Sequence, residues 1–375
     1  MTISTVGSGI GGSALMVEET AYSLVTATPA WKAFEPNDQI QPKKGKNTKQ
    51  SSPLAAGRLV DTAARRVVTS QAGTLALPFD WCQAGHFTSL LNQLSNTFTT
   101  GAAGSQTAGT GIWAAGARVT PTGSIYAYTH TFRNNVAGRS VSWQCGIPTT
   151  DAVLRQVDLL GCKPTKFAWS IEKDSFLTCA TDWDARVYLD PLLTAAYPGY
   201  PNGATQTAYT QATPSYSQAI PWHWAETQIQ IGASTVAAST ASAIDGVTKF
   251  ASSVEHPMNV GRQYAGNQGL KDEPIVNNVY KIGGTVNSDY VNKQYWADAF
   301  YSDTPFTIIK TFTPGGVLSG TVPAIQFIWN NVFLDNESPT VGNKDIVNTG
   351  FPFVADYDLT NEPLTIIIQT TDATV

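Results

Sequence analysis

The sequence predicts a mainly β protein, a β-sandwich or barrel-like fold with one flanking α-helix and long loops or arms. Three observations carry that prediction. In residues 165–188, Phe167, Trp169, Ile171, Leu177, Cys179, Trp183, Ala185 and Val187 share one parity, while Glu172, Thr178, Asp182, Asp184 and Arg186 share the other. A period of two marks a strand with one buried face. Lys173, Asp174 and Ser175 break it as a turn, so the stretch reads as a long hairpin whose second arm, 176–188, spans roughly 40 Å. Segments of strand length then recur at short spacing, about a dozen in all, the pattern of sandwiches and barrels. Only residues 86–95 carry a helical stripe: Phe87, Leu90, Leu91 and Leu94 fall at i, i+3, i+4 and i+7.

Composition narrows the function. Charged residues are 14% of the 375, against a usual ~25%, while hydrophobic residues stand at 42%. The chain therefore folds, and so few charges suit a surface partly hidden in an assembly. A net charge of −5 disfavours general nucleic-acid binding, which needs clustered Lys and Arg. The N-terminus lacks a basic region followed by a long apolar one, so no signal peptide is expected. No apolar run approaches the ~18–20 residues of a membrane helix. Cys82, Cys145, Cys162 and Cys179 are scattered without a C-x-x-C pair, as reduced structural thiols would be.

Taken in order, residues 1–30 are Gly, Ser, Thr and Ala rich and read as an arm. Gly7, Gly9 and Gly12 match G-x-G-x-x-G, but no βαβ unit follows, so a glycine-rich terminus is expected over a dinucleotide loop. Residues 36–53 read as a polar loop within a first core segment, 31–194; Lys43, Lys44, Lys46 and Lys49 make it the densest basic run, suited to phosphate or an acidic partner surface. Strands are expected at 65–79, 126–133 and 140–147, with a low-complexity loop at 99–111. Residues 153–160 fit a helix and a strand almost equally well. Residues 195–221, rich in Pro, Tyr, Gln and Thr, read as a linker or surface loop. The remainder of the core, 222–375, holds strands at 222–231, 246–254, 275–286, 306–312, 324–333 and 364–370, with a helical turn at 295–300.

No catalytic constellation emerges. His86, His130, His223 and His256 lie far apart, and no nucleophile elbow, zinc motif or P-loop occurs. Asp182 and Asp184 point to one face of a strand, a pair a glycosidase could use across a cleft, but a solvated acidic strand face is the commoner use. No enzyme activity, cofactor or metal is expected.

The order of several stretches resembles a known family, the tail tube proteins of long, non-contractile bacteriophage tails. They are residues 16–23 (MVEETAYS), the strand and helix within 74–94, YTHTF at 128–132 with SVSW at 140–143, GCKPTKFAWSI at 161–171, DEP at 272–274, IGGT at 282–285 and NEPLTIII at 361–368. The length and the 195–221 segment depart from the family pattern. The resemblance implies a siphophage major tail protein: hexameric rings, stacked on a tape measure protein between tail terminator and distal tail proteins, through which viral DNA passes without lasting contact. It implies a virion tail assembled in the bacterial host cytoplasm. It also favours strand for 153–160. On this reading Glu172, Asp182 and Asp184 are candidate lumen residues, since an acidic wall repels phosphate, and Lys43, Lys44, Lys46 and Lys49 are a candidate inter-ring contact. Another β-rich virion surface protein, a decoration or carbohydrate-binding module, is the alternative.

Overall fold

The computed structural model describes residues 12–25, 29–51, 60, 63–95, 97–101, 111–133, 139–148, 154–190, 209–266, 269–289, 297–335 and 348–373. The glycine motif near the N-terminus lies almost wholly outside them, as does most of 195–221.

The long hairpin is the centre of the fold. Its first arm, Leu154–Glu172, pairs antiparallel with Thr178–Ala185. Asp174 takes a positive φ of 60° at the turn, a conformation Asp tolerates. The Ser175 hydroxyl closes the turn, donating to the Glu172 carbonyl at 2.7 Å. The odd-numbered side chains Phe167, Trp169, Ile171, Cys179 and Trp183 are buried, as the alternation requires. Residues 154–160 are strand.

Around this hairpin the strands form two packed sheets and a smaller third. The first runs Gln41–Gln50, Arg66–Asp80, Thr178–Ala185, Leu154–Glu172, Val247–Glu255, Lys281–Asp289 and Asn348–Ala355. The second runs Thr227–Gly232, Phe306–Phe312, Ala324–Leu334, Leu364–Thr370, Tyr126–Phe132 and Thr97–Gly101. The third joins Lys32–Phe34, Ser13–Glu18, Val141–Pro148, the first half of Leu154–Glu172, and Val187–Leu189. Among the described residues every pairing is antiparallel, and the sheets do not close into a barrel.

Two strands change sheets, and each does so at a residue with positive φ. Leu154–Glu172 passes from the third sheet to the first at Gly161, φ 62°, where its register shifts. Ala324–Leu334 leaves Leu364–Thr370 and takes up Asn348–Ala355 beyond Asn331, φ 52°. Bulges of this kind make the corners of sandwiches. Between the sheets, Trp169 of the first packs on Phe327 of the second at 5.7 Å, and Phe250 on Trp329 at 5.0 Å. Trp143 of the third sheet meets Trp183 at 5.4 Å.

Several expectations are corrected. Residues 13–18, placed in an N-terminal arm, are a core strand with Ala14, Leu15, Met16 and Val17 buried. Residues 41–50, placed in a loop, are a strand, and 97–101 and 348–355 are strands as well. The helix expected over 86–95 spans only Phe87–Asn92. It has company in Thr235–Thr240 and in Ala297–Ser302, near the expected helical turn. Residues 275–286 divide into Ile275–Val276 and Lys281–Asp289.

Gly284 shows how tightly the first sheet is built. A Cβ there would sit 2.1 Å from the Ala251 carbonyl oxygen and 2.9 Å from the Phe353 ring. Gly284→Ala is therefore expected to destabilise the subunit by about 2 kcal/mol or more, read as a lower urea midpoint.

Candidate functional site

The first sheet has one face in the core and one open. On the open face stand Ala168, Ser170, Thr178, Ala180, Ala251, Ser253, Gly283 and Thr285, none of them fully buried. Small side chains here follow from the strand period: the bulky positions are spent on the core parity, and their neighbours need only be compatible with a pleated surface. Two pairs of charges on this face bridge strands, while Lys281 is exposed opposite Glu255. Lys166 Nζ meets Glu255 Oε1 at 2.8 Å, and Lys249 Nζ meets Glu172 Oε2 at 3.0 Å. The Lys166 ammonium holds the Glu255 carboxyl below its usual range.

The three acidic residues singled out in the sequence occupy different settings. Glu172 is exposed and paired with Lys249. Asp182 is exposed as well, and no ion pair holds it among the described residues. Asp184 shares the parity of Asp182 but is 6% exposed, because Lys271 lies over it and hydrogen-bonds its Oδ1. Burial raises the Asp184 pKa, with Lys271 opposing. The two aspartates thus do not make a matched pair across a cleft.

The four lysines are carried by a two-stranded ribbon. Gln41–Gln50 pairs with Arg66–Asp80 from Gln41 opposite Ala76 to Gln50 opposite Arg66. The partner of Arg66–Asp80 on its other side, Thr178–Ala185, stops at Gly73. Beyond that point, apart from the contact of residues 69–71 with Gly269 at its root, no described strand flanks the ribbon for roughly 20 Å. Lys43, Lys44, Lys46 and Lys49 are all exposed. So are Arg65 and Arg66, and so are Val67 and Val68 at 56% and 47%. Both faces of a strand pair in solvent is an unusual arrangement for a monomer, since isolated hairpins are marginal in water and unpaired edges invite association.

The root of the ribbon is held firmly. Gln71 N–H donates to the Gly269 carbonyl at 3.0 Å. Leu270 is buried with Leu160, Val187 and Leu189. Lys163 Nζ meets Glu273 Oε1 at 2.5 Å, and the Lys44 ammonium stands 5.8 Å from the Tyr188 ring.

The histidines do not converge. His130 is fully buried, and burial pushes its pKa down to about 3, so it is neutral. His256 stacks on Tyr280 at 4.6 Å, and His223 contacts Glu226 at 3.4 Å. Among the described residues no cluster of His, Cys, Asp or Glu could hold a metal ion. The four cysteines are free thiols. No helix among the described residues is long and apolar enough to cross a membrane.

Several buried charged residues escaped the sequence reading, among them Asp158, Lys163, Lys271 and Lys310. Lys310, on Phe306–Phe312, is 0% exposed and lies in the core. Its ammonium stands 4.4 Å from the ring centre of Phe250, 4.6 Å from Phe327, 5.3 Å from Trp329 and 5.6 Å from Phe312. A lysine inside the apolar run FTIIKTF was the available signal.

Among curated proteins none matches the chain. The model of a family described as phage tail tube protein spans residues 9–356, nearly the whole chain. A strand-rich subunit with a bare sheet face and a projecting ribbon therefore belongs to the phage tail tube protein family.

Proposed function

We propose that this structural tail protein closes into hexameric rings that stack into the tube of a siphophage tail, the conduit for DNA ejection. The observation that carries the reading is the open face of the first sheet. It is broad and lined by small side chains, and its Lys–Glu pairs neutralise one another. Such a wall offers a passing duplex little to hold, since lasting phosphate contact requires unpaired Lys and Arg. Glu172 and Asp182 face the channel in this proposal, and Asp184 lies behind the wall under Lys271. The tape measure protein fills the lumen before ejection. Tail terminator and distal tail proteins cap the ends, and assembly takes place in the host cytoplasm.

The ribbon supplies the contact between rings. Negative-stain microscopy of the purified chain, alone and with tape measure protein, tests the whole reading: rings or tubes are expected, and persistent monomers that bind glycans would overturn it. Lys46→Glu with Lys49→Glu is expected to shorten tubes without lowering the subunit's melting temperature. For the wall, virions carrying Asp182→Lys are expected to release DNA several-fold more slowly in single-particle ejection assays, because an added cation contacts phosphate. An unchanged rate would remove Asp182 from the channel.

A further inference from the structure

The basic ribbon and an acidic surface lie at opposite ends of one strand. Arg66–Asp80 runs from the ribbon's outer end to the end of the sheet where Asp80 pairs with Thr178, roughly 45 Å of extended chain. At that far end the hairpin turn, the start of Val247–Glu255 and the end of Lys281–Asp289 come together. Lys173 N–H donates to the Thr248 carbonyl at 3.0 Å, and Asp289 N–H to the Gly246 carbonyl at 2.8 Å. These bonds gather Glu172, Asp174, Asp245 and Asp289 at one end of the sheet. Asp174 and Asp245 are exposed. The lysines there are Lys173 and Lys249, and Lys249 is taken by Glu172. Beside them Phe176 is 49% exposed.

The two ends match. The ribbon presents Lys46, Lys49, Arg65 and Arg66 together with Val67 and Val68. The far end presents Asp174 and Asp245 together with an exposed Phe176. The ribbon is basic and the far end net acidic, four carboxylates against Lys173 and Lys249, each beside an apolar group, which is the form of a head-to-tail contact between copies of a chain. We infer that the ribbon of one copy docks on the Asp174–Asp245 end of a second copy, placing the face that carries Lys49 and its cross-strand neighbour Val67 against those carboxylates and Phe176. This rests on the ribbon being an inter-ring contact and names its acceptor. It also sets the polarity of the stack: every ribbon points the same way, and one end of the tube exposes unfilled acidic acceptors.

The test is a charge swap in the purified full-length chain, read by sedimentation velocity at low and high salt and by tube length in negative stain. Lys46→Glu with Lys49→Glu, and separately Asp174→Lys with Asp245→Lys, are each expected to weaken self-association about tenfold or more at low salt. Combining all four substitutions is expected to restore much of it. All four positions are exposed, and circular dichroism melting of each variant confirms the fold. If the ribbon reversal weakens assembly but the acidic-end reversal does not, or the combination gives no rescue, the acceptor lies elsewhere. This inference then fails while the ribbon's role survives. If the ribbon reversal has no effect, both fall.

Discussion

Lys310→Met is expected to make the subunit more stable at neutral pH, by up to about 5 kcal/mol. Burial pushes the Lys310 pKa down from 10.5 to about 7, and each pKa unit corresponds to about 1.4 kcal/mol. The sign follows from proton binding. Between pH 7 and 10.5 the unfolded chain holds the proton and the folded chain does not, so wild-type stability rises with pH across that window and is flat below it. Methionine keeps the length and makes favourable contacts with aromatic rings, so the advantage of the variant should be greatest at pH 7 and shrink toward pH 10.5. The four surrounding ring faces oppose the desolvation through cation–π attraction, which makes 5 kcal/mol an upper figure. Wild-type stability near pH 9 also feels Cys145 and Cys179, whose thiols burial holds well above 9. Their contribution is lost as pH rises, the opposite sense. The difference between variant and wild type in urea unfolding cancels those thiols and isolates Lys310. A variant less stable than wild type at pH 7 would show that the aromatic cage more than compensates the buried ammonium.

Lys271→Met is expected to act in the opposite direction, costing about 3–5 kcal/mol, because it leaves the buried Asp184 carboxylate without its cation. Both side chains are 6% exposed. Without Lys271 the burial effect on Asp184 acts unopposed and its pKa rises further. A carboxyl whose folded pKa lies above its unfolded value loses stability as pH rises through the folded pKa. The defect should therefore be larger at pH 8 than at pH 5. Replacing both partners, Lys271→Met with Asp184→Leu, should recover most of the loss, as buried pairs often tolerate apolar replacement. The pair sits beside the Gln71–Gly269 hydrogen bond at the ribbon root. Hydrogen exchange in Lys271→Met is thus expected to quicken in residues 44–50 and 66–73 before the rest of the first sheet. Uniform quickening would mean that the pair supports the whole fold and not the ribbon's attachment.

Where the two readings agree and where they part is a matter of range. A strand with one face in the core writes its parity into the chain, so the 165–188 hairpin was legible from alternation, while Phe306–Phe312 and Leu364–Thr370, buried on both faces, were legible from their β-branched and aromatic content. The ribbon was not. Gln41–Gln50 has solvent on both faces, so it carries no apolar period, and QPKKGKNTKQ reads as a loop. Its strand character comes from ladder hydrogen bonds to a partner strand, Arg66–Asp80. The Ser13–Glu18 strand was hidden for the reverse reason: buried on both sides, its run of small and apolar residues does not alternate. The charges depend on distance in sequence most of all. Asp182 and Asp184 are equivalent by parity, and only the arrival of Lys271 from 87 residues away buries one and leaves the other in water. Alternation along the chain decides which way a side chain points; what it meets there is decided by segments that no local pattern relates to it.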